Sequence, residues 1–148
     1  MRALLTSAAM ALALSAAGTA AAAESSKQGT LYKNPQCGCC EGYANYLRGH
    51  GYDITVKPTH DLPMMQRMAG VPETLEGCHS MMIDGYVVEG HVPAKTLNRL
   101  LSERPDIKGI SLPGMPLGSP GMSGRKAAPF TIYEIGGGEA GAKVYAVE

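Results

Sequence analysis

The sequence predicts an α/β fold of thioredoxin-like order, β-α-β-α-β-β-α, followed by a Gly/Pro-rich C-terminal extension and a terminal β-hairpin. Three observations carry that expectation. Between Thr30 and Glu103, short strand-like runs alternate with segments of helical period. Asp84-Gly85 separates two apolar runs and is a strong two-residue hairpin signal. Beyond Arg104-Pro105 the chain turns to repeated Gly, Pro and Ser, a composition expected to form a long shaped loop.

The first residues read as a leader. Met1-Arg2 is a basic start, Ala3 to Gly18 is uncharged and Ala/Leu-rich, and Ala21-Ala22-Ala23 offers a cleavage site before Glu24. The apolar core is short and Ala-rich for a membrane anchor, and no Cys near the cleavage site invites lipidation. The expected organisation is a cleaved signal peptide over 1–23, a thioredoxin-like domain over 24–104, and an extension over 105–148 packing over the functional site. Export from a Gram-negative cell places the mature protein in the periplasm.

Each element has its own signal. Thr30 to Lys33 reads as a strand ended by Asn34-Pro35. A helix from about Cys39 to His50 puts Cys40, Tyr43, Ala44 and Leu47 on one face, with Gly49 and Gly51 as its stop. Ile54 to Lys57 is a second strand, and Asp61 is placed to cap a helix reaching Ala69, with Pro63 in its first turn. His79 to Ile83 and Tyr86 to Glu89 form the hairpin. Pro93 opens a helix over Ala94 to Glu103 with Leu97, Leu100 and Leu101 inward. After the loop over Gly109 to Arg125, Phe130 to Ile135 and Lys143 to Val147 read as strands around Gly136-Gly137-Gly138.

Composition bounds the function. Of 13 basic residues Arg2 leaves with the leader, so 12 face 13 acidic ones and the mature charge is −1. That balance offers no basic footprint for nucleic acid or an anionic membrane, and the length suits one small domain, expected as a monomer. With one Phe and no Trp, the core relies on Leu, Ile, Val, Tyr and Met.

The chemistry lies in Cys37-Gly38-Cys39-Cys40. Cys37 and Cys40 form a C-x-x-C pair with redox spacing, while all three thiols make a soft-donor cluster for Cu(I) or Zn(II). Structural stapling is the weakest reading, because a bridge inside the run is strained or closes a trivially small loop. In the expected topology Cys78 and His79 open a strand beside the end of the first, and His91 follows the end of the next. These residues therefore gather with the cysteine run at one rim. A helix N-terminus there favours thiolates, which serve disulfide exchange and metal binding alike.

Several features favour metal. The middle Cys39 is superfluous to a dithiol enzyme, whereas a thiolate cluster uses it. Met115 and Met122 sit in the Gly/Pro-rich segment, where no amphipathic element would bury them, and thioether sulfur suits Cu(I). The candidate ligands are thus Cys37, Cys39, Cys40, Cys78, His79, His91, Met115 and Met122. Met64, Met65 and Met68 have ordinary core spacing on a helix, and His50 and His60 read as surface.

These residues resemble the CopG-type periplasmic copper-resistance proteins, a family recognised by a C-x-C-C motif. The likeness runs through Cys37 to Cys40, Gly70-Val71-Pro72, Cys78-His79, Gly85-Tyr86, Glu89 to Pro93, and Gly114 to Met122. Ser80 stands where Thr is expected after Cys-His. The resemblance implies a thioredoxin-like domain whose extension helps bind metal, a thiolate-bridged copper site, and interconversion of Cu(I) and Cu(II) in detoxification. The expected partners are copper ions and a copper efflux system or periplasmic carrier. Two alternatives stand beside it: a metal-independent thiol–disulfide oxidoreductase using Cys37 and Cys40, and a copper carrier without redox change.

Overall fold

The computed structural model of the chain describes residues 27–136 and 143–148. The expected leader and the glycines Gly137 and Gly138 lie outside the described residues. Strand β1 (Gln28–Lys33) leads to helix α1 (Gly38–Gly49), β2 (Asp53–Pro58), α2 (Leu62–Met68) and a 3-10 turn at Glu73–Leu75. Then come β3 (His79–Ile83), β4 (Tyr86–Gly90), α3 (Ala94–Glu103), β5 (Gly109–Leu112), β6 (Thr131–Ile135) and β7 (Val144–Val147). The order expected over the first seven regular elements is observed. No helix among the described residues is long and apolar enough to cross a membrane.

The strands form one mixed sheet in the order β2-β1-β3-β4-β5-β6-β7. β1 runs parallel to β2 and antiparallel to β3, with Lys33 opposite His79. β4 returns antiparallel to β3, with Ser80 opposite Glu89. This register sets the rim: the end of β1, the start of β3 and the end of β4 meet at one edge of the sheet.

Strand alternation divides the core. Leu31, Met81, Val88, Ile110 and Ile132 pack with Cys40, Tyr43 and Leu47 of α1 and Leu97 and Leu100 of α3. The opposite residues contribute to a smaller cluster of Val71, Leu75, Val87 and Ile135. The α1 face expected from helical period is wholly buried, as are Leu97, Leu100 and Leu101. Gly51 ends α1 in the left-handed region, at φ +82.

Three local expectations are corrected. The segment expected as loop from Gly109 begins instead with β5, which is buried throughout and pairs parallel with β4. Gly109 permits that pairing, since a Cβ there would overlap the Val87 carbonyl oxygen. Asp61 precedes α2 without a side-chain capping bond; its own N–H donates to the hydroxyl oxygen of Thr59 at 3.0 Å. Finally, Met64 and Met68 are 50% and 80% exposed rather than core residues, because one side of the short α2 is left uncovered. The terminal strands pair antiparallel as expected and, through β5–β6 pairing, extend the main sheet.

Candidate metal centre

Lys33, the last residue of β1, shapes the loop that carries the cysteines. Its buried ammonium donates to the carbonyls of Asn34, Pro35 and Cys37 at 3.4, 3.3 and 3.1 Å, and pairs with Glu41 at 3.5 Å. The loop delivers Cys37 to the N-cap of α1, with Cys39 and Cys40 in the first turn. Cys39 borders an open cleft of about 500 Å³ with Cys37, Cys78 and Met115, whereas Cys40 is fully buried beneath it.

Two donor groups result. The sulfurs of Cys37, Cys39, Cys40 and Cys78 all lie within 4.8 Å of one another, and so do the donor atoms of Cys78, His79 and His91. Cys78 is common to both. Its Sγ lies 3.4 Å from that of Cys40, 3.8 Å from Nδ1 of His79 and 3.9 Å from Nε2 of His91. Cys37 and Cys40 are joined in a disulfide with a Cα–Cα separation of 5.6 Å, while Cys39 and Cys78 are free. This is the bridge the C-x-x-C reading expects. A sequence separation of three residues removes little unfolded-state entropy, so its worth is chemical more than structural.

Both histidines are fully buried and pack against the ring of Tyr43, at centroid distances of 5.0 and 5.1 Å. Tyr43 donates in turn to the Val92 carbonyl at 2.9 Å and so fixes the segment after His91. The Gly/Pro-rich segment supplies the other side. Gly121 sits on Gly42 and Tyr43 of α1 so closely that a Cβ would overlap the Tyr43 backbone nitrogen. This seating places the Pro120 carbonyl 2.6 Å from Nδ1 of His91. The carbonyl can only accept, so Nδ1 carries the proton and the lone pair of Nε2 faces Cys78.

Electrostatics follow from burial. Desolvation, then the neighbouring His91, lowers the His79 pKa to about 3, and the Gly90 backbone opposes this only in part. Burial likewise lowers His91. Both rings are therefore neutral and able to ligate at physiological pH. Burial, and then Cys39, pushes the Cys78 thiol up to about 12, so only a bound cation would hold it as thiolate near neutrality. Nε2 of His79 is buried with no hydrogen-bond partner of normal geometry among the described residues. An orphaned imidazole nitrogen, a presented lone pair and free soft sulfurs fit copper, with reduction of the Cys37–Cys40 bridge required to release the remaining two thiolates.

Behind Cys78 lies Glu89, fully buried in β4. It accepts from the Gly77 N–H and Gln66 Nε2, each at 2.8 Å, and from the Ser80 hydroxyl. Burial raises its pKa to about 6 against the pull of those three donors. Sequence reasoning gave no role to Glu89 or Lys33. A lone acid inside the apolar run Tyr86 to Gly90 was the available signal for Glu89; nothing local marked Lys33.

Of the eight candidate ligands, the structure brings together the four cysteines, His79 and His91, and sets Met115 on the wall of the cysteine cleft. Met122 is half-buried in the turn after Ser119 and does not line that cleft. His50 and His60 are exposed, as expected.

Residues 75–122 match a family described as a protein of unknown function, DUF411. No curated protein matches the chain. Two solved forms of a copper resistance protein, CopG, are similar in structure and sequence. Each is 34% identical with a TM-score of 0.74, covering 82% of this chain and 97% or 96% of its own. That identity over nearly the whole length of the solved protein, together with a cysteine–histidine cluster able to hold metal, decides the kinship. The chain belongs to the CopG family of copper resistance proteins.

Proposed function

We propose that the protein is a periplasmic copper-binding protein that holds several copper ions in a cysteine-bridged site and interconverts Cu(I) and Cu(II). The observation that carries this reading is the sharing of Cys78 between an all-sulfur donor group and a sulfur–imidazole group. Thiolates and thioethers favour Cu(I), whereas imidazole also suits Cu(II), so a site containing both can accommodate either state. Cys37, Cys39, Cys40 and Cys78 would supply the thiolates, and His79 and His91 the imidazoles. Met115 would lie over the cleft, with Met122 in the turn behind it. On this reading residues 24–104 are a thioredoxin-like domain, and 105–148 cover its metal site.

Copper is the substrate, and each one-electron change at it needs an external electron partner; a copper efflux system or periplasmic carrier would receive the product. The residues of this chain contribute binding and water exclusion. Tyr43 walls the histidines, the Pro120 carbonyl fixes the His91 tautomer, and Lys33 offers a buried positive charge beneath an anionic cluster. The test is copper stoichiometry and oxidation state in the mature protein prepared with and without oxygen. More than one copper per chain, EPR-silent when reduced and EPR-active when oxidised, is expected, with most of it lost in Cys39→Ser. Stoichiometric zinc without copper uptake, or unchanged copper in Cys39→Ser, would overturn the reading. Copper that keeps one oxidation state under both atmospheres would reduce the protein to a carrier.

The Cys37–Cys40 disulfide favours one second reading, a thiol–disulfide oxidoreductase. It requires reductase or isomerase turnover that survives both metal removal and Cys39→Ser.

A further inference from the structure

We propose that Met65, Met68 and Met82 form a second soft-metal site, a thioether cleft that takes Cu(I). Met65 and Met68 stand three residues apart on α2 and so share a side of it. Met82 alternates with the core residue Met81 along β3, which turns it toward the opposite face of the sheet. The three side chains line one cavity of about 390 Å³, with Val87 and Lys108 among its other walls.

A single exposed apolar side chain is ordinary. Three thioethers around one cleft are a donor set. Packing explains Met68 least, since at 80% exposure it buries little apolar area. Methionine is also flexible enough for its sulfur to swing inward. Among the described residues no carboxylate, imidazole or thiol lines the cavity. The uncharged sulfurs therefore suit a soft monovalent cation and offer little to zinc, Cu(II) or a hard divalent ion.

Lys108 opposes any cation, so this is the weaker site and fills after the cysteine centre. The two are separate. Met82 lies four residues beyond Cys78, about 13 Å at the rise of a strand, too far to share an ion.

The assignment does not require metal at the cysteine centre, and one experiment separates the two. The full mature chain, reduced and carrying methyl-¹³C methionine, is titrated anaerobically with Ag(I) as a diamagnetic stand-in for Cu(I). The methyl signals of Met65, Met68 and Met82 should move together in a phase following thiol saturation, while those of Met64 and Met81 stay in place. Met68→Leu should weaken that phase by about tenfold, and Met64→Leu should not change it. Three stationary methyls throughout the titration would refute the cleft site, as would unchanged affinity in a Met65→Leu/Met68→Leu variant. Failure at the cysteine centre shows elsewhere, as unreacted thiols and a stationary Met115 methyl.

Discussion

Glu89 decides where Cys78 sits. Its carboxylate holds the Gly77 N–H one residue before this candidate ligand, and ties that loop to α2 through Gln66 and to β3 through Ser80. Replacing it by Leu leaves the Gly77 N–H and the Ser80 hydroxyl without an acceptor and Gln66 Nε2 with only the Gly77 carbonyl, and an unsatisfied buried donor costs about 1–3 kcal/mol. Glu89→Leu should therefore lose at least about 2 kcal/mol in chemical denaturation, and copper affinity should fall by about 10–100-fold, as for other groups that orient metal ligands. Competition with a Cu(I) chelator measures the second effect. A variant with native affinity would show that Cys78 is positioned by other contacts.

His79 gives the metal-free protein an acid sensitivity. Its pKa is near 3 when folded against 6.5 ordinarily, so between these values the unfolded chain binds a proton that the folded chain refuses. Stability from this group is complete above about 6.5 and is lost as pH falls toward 3. Glu89 works the other way: its folded pKa is raised from 4.5 to about 6, and its contribution is lost as pH rises through 6. As pH falls from about 6.5 toward 3, the parent should lose more stability than His79→Gln, which keeps only the opposing slope of Glu89, in thermal melts of the metal-free protein. Parallel curves for parent and variant would exclude His79 as the cause.

At the scale of elements, β5 shows how a strand can escape notice. Gly-Ile-Ser-Leu is four residues long and opens a Gly/Pro-rich stretch, so no local period marks it. Its identity comes from β4, nearly twenty residues earlier, whose free edge it pairs in parallel. Propensity describes the segment alone, whereas a sheet edge recruits whatever backbone can approach it. Gly109→Ala tests this directly. The added methyl meets the Val87 carbonyl backbone, which cannot step aside as a side chain would, and unfolding free energy should fall by about 2 kcal/mol or more. A change below about 0.5 kcal/mol would mean that the β4–β5 pairing relaxes at little cost. The helices were easier to read because their period is local, and α1 and α3 bury the faces expected of them. Helix α2 marks the limit of that logic. The spacing of Met65 and Met68 says that they share a side, but whether another element covers that side is settled elsewhere in the chain.

For the molecule as a whole, the rim was readable because antiparallel pairing is restrictive. Once β1, β3 and β4 were placed, Cys78, His79 and His91 had to fall near the cysteine run, and Lys33 opposite His79 confirms the register. What could not be read were contacts made by backbone atoms and buried charges: the Pro120 carbonyl on His91, the Lys33 clamp and the Glu89 hub. Such interactions depend on three-dimensional approach and leave no periodic trace.

Membership of Cys78 in both donor groups has a consequence for how the centre fills. Two compartments with a common wall cannot be occupied independently. The first ion to draw the proton from Cys78, whose thiol is held at about 12, removes that cost for the second. Loading should therefore be cooperative. Native mass spectrometry of a substoichiometric Cu(I) titration of the reduced protein should show mainly empty and fully loaded chains, with half-loaded species below their statistical share. A binomial ladder of occupancies would mean that the ions bind without reference to one another.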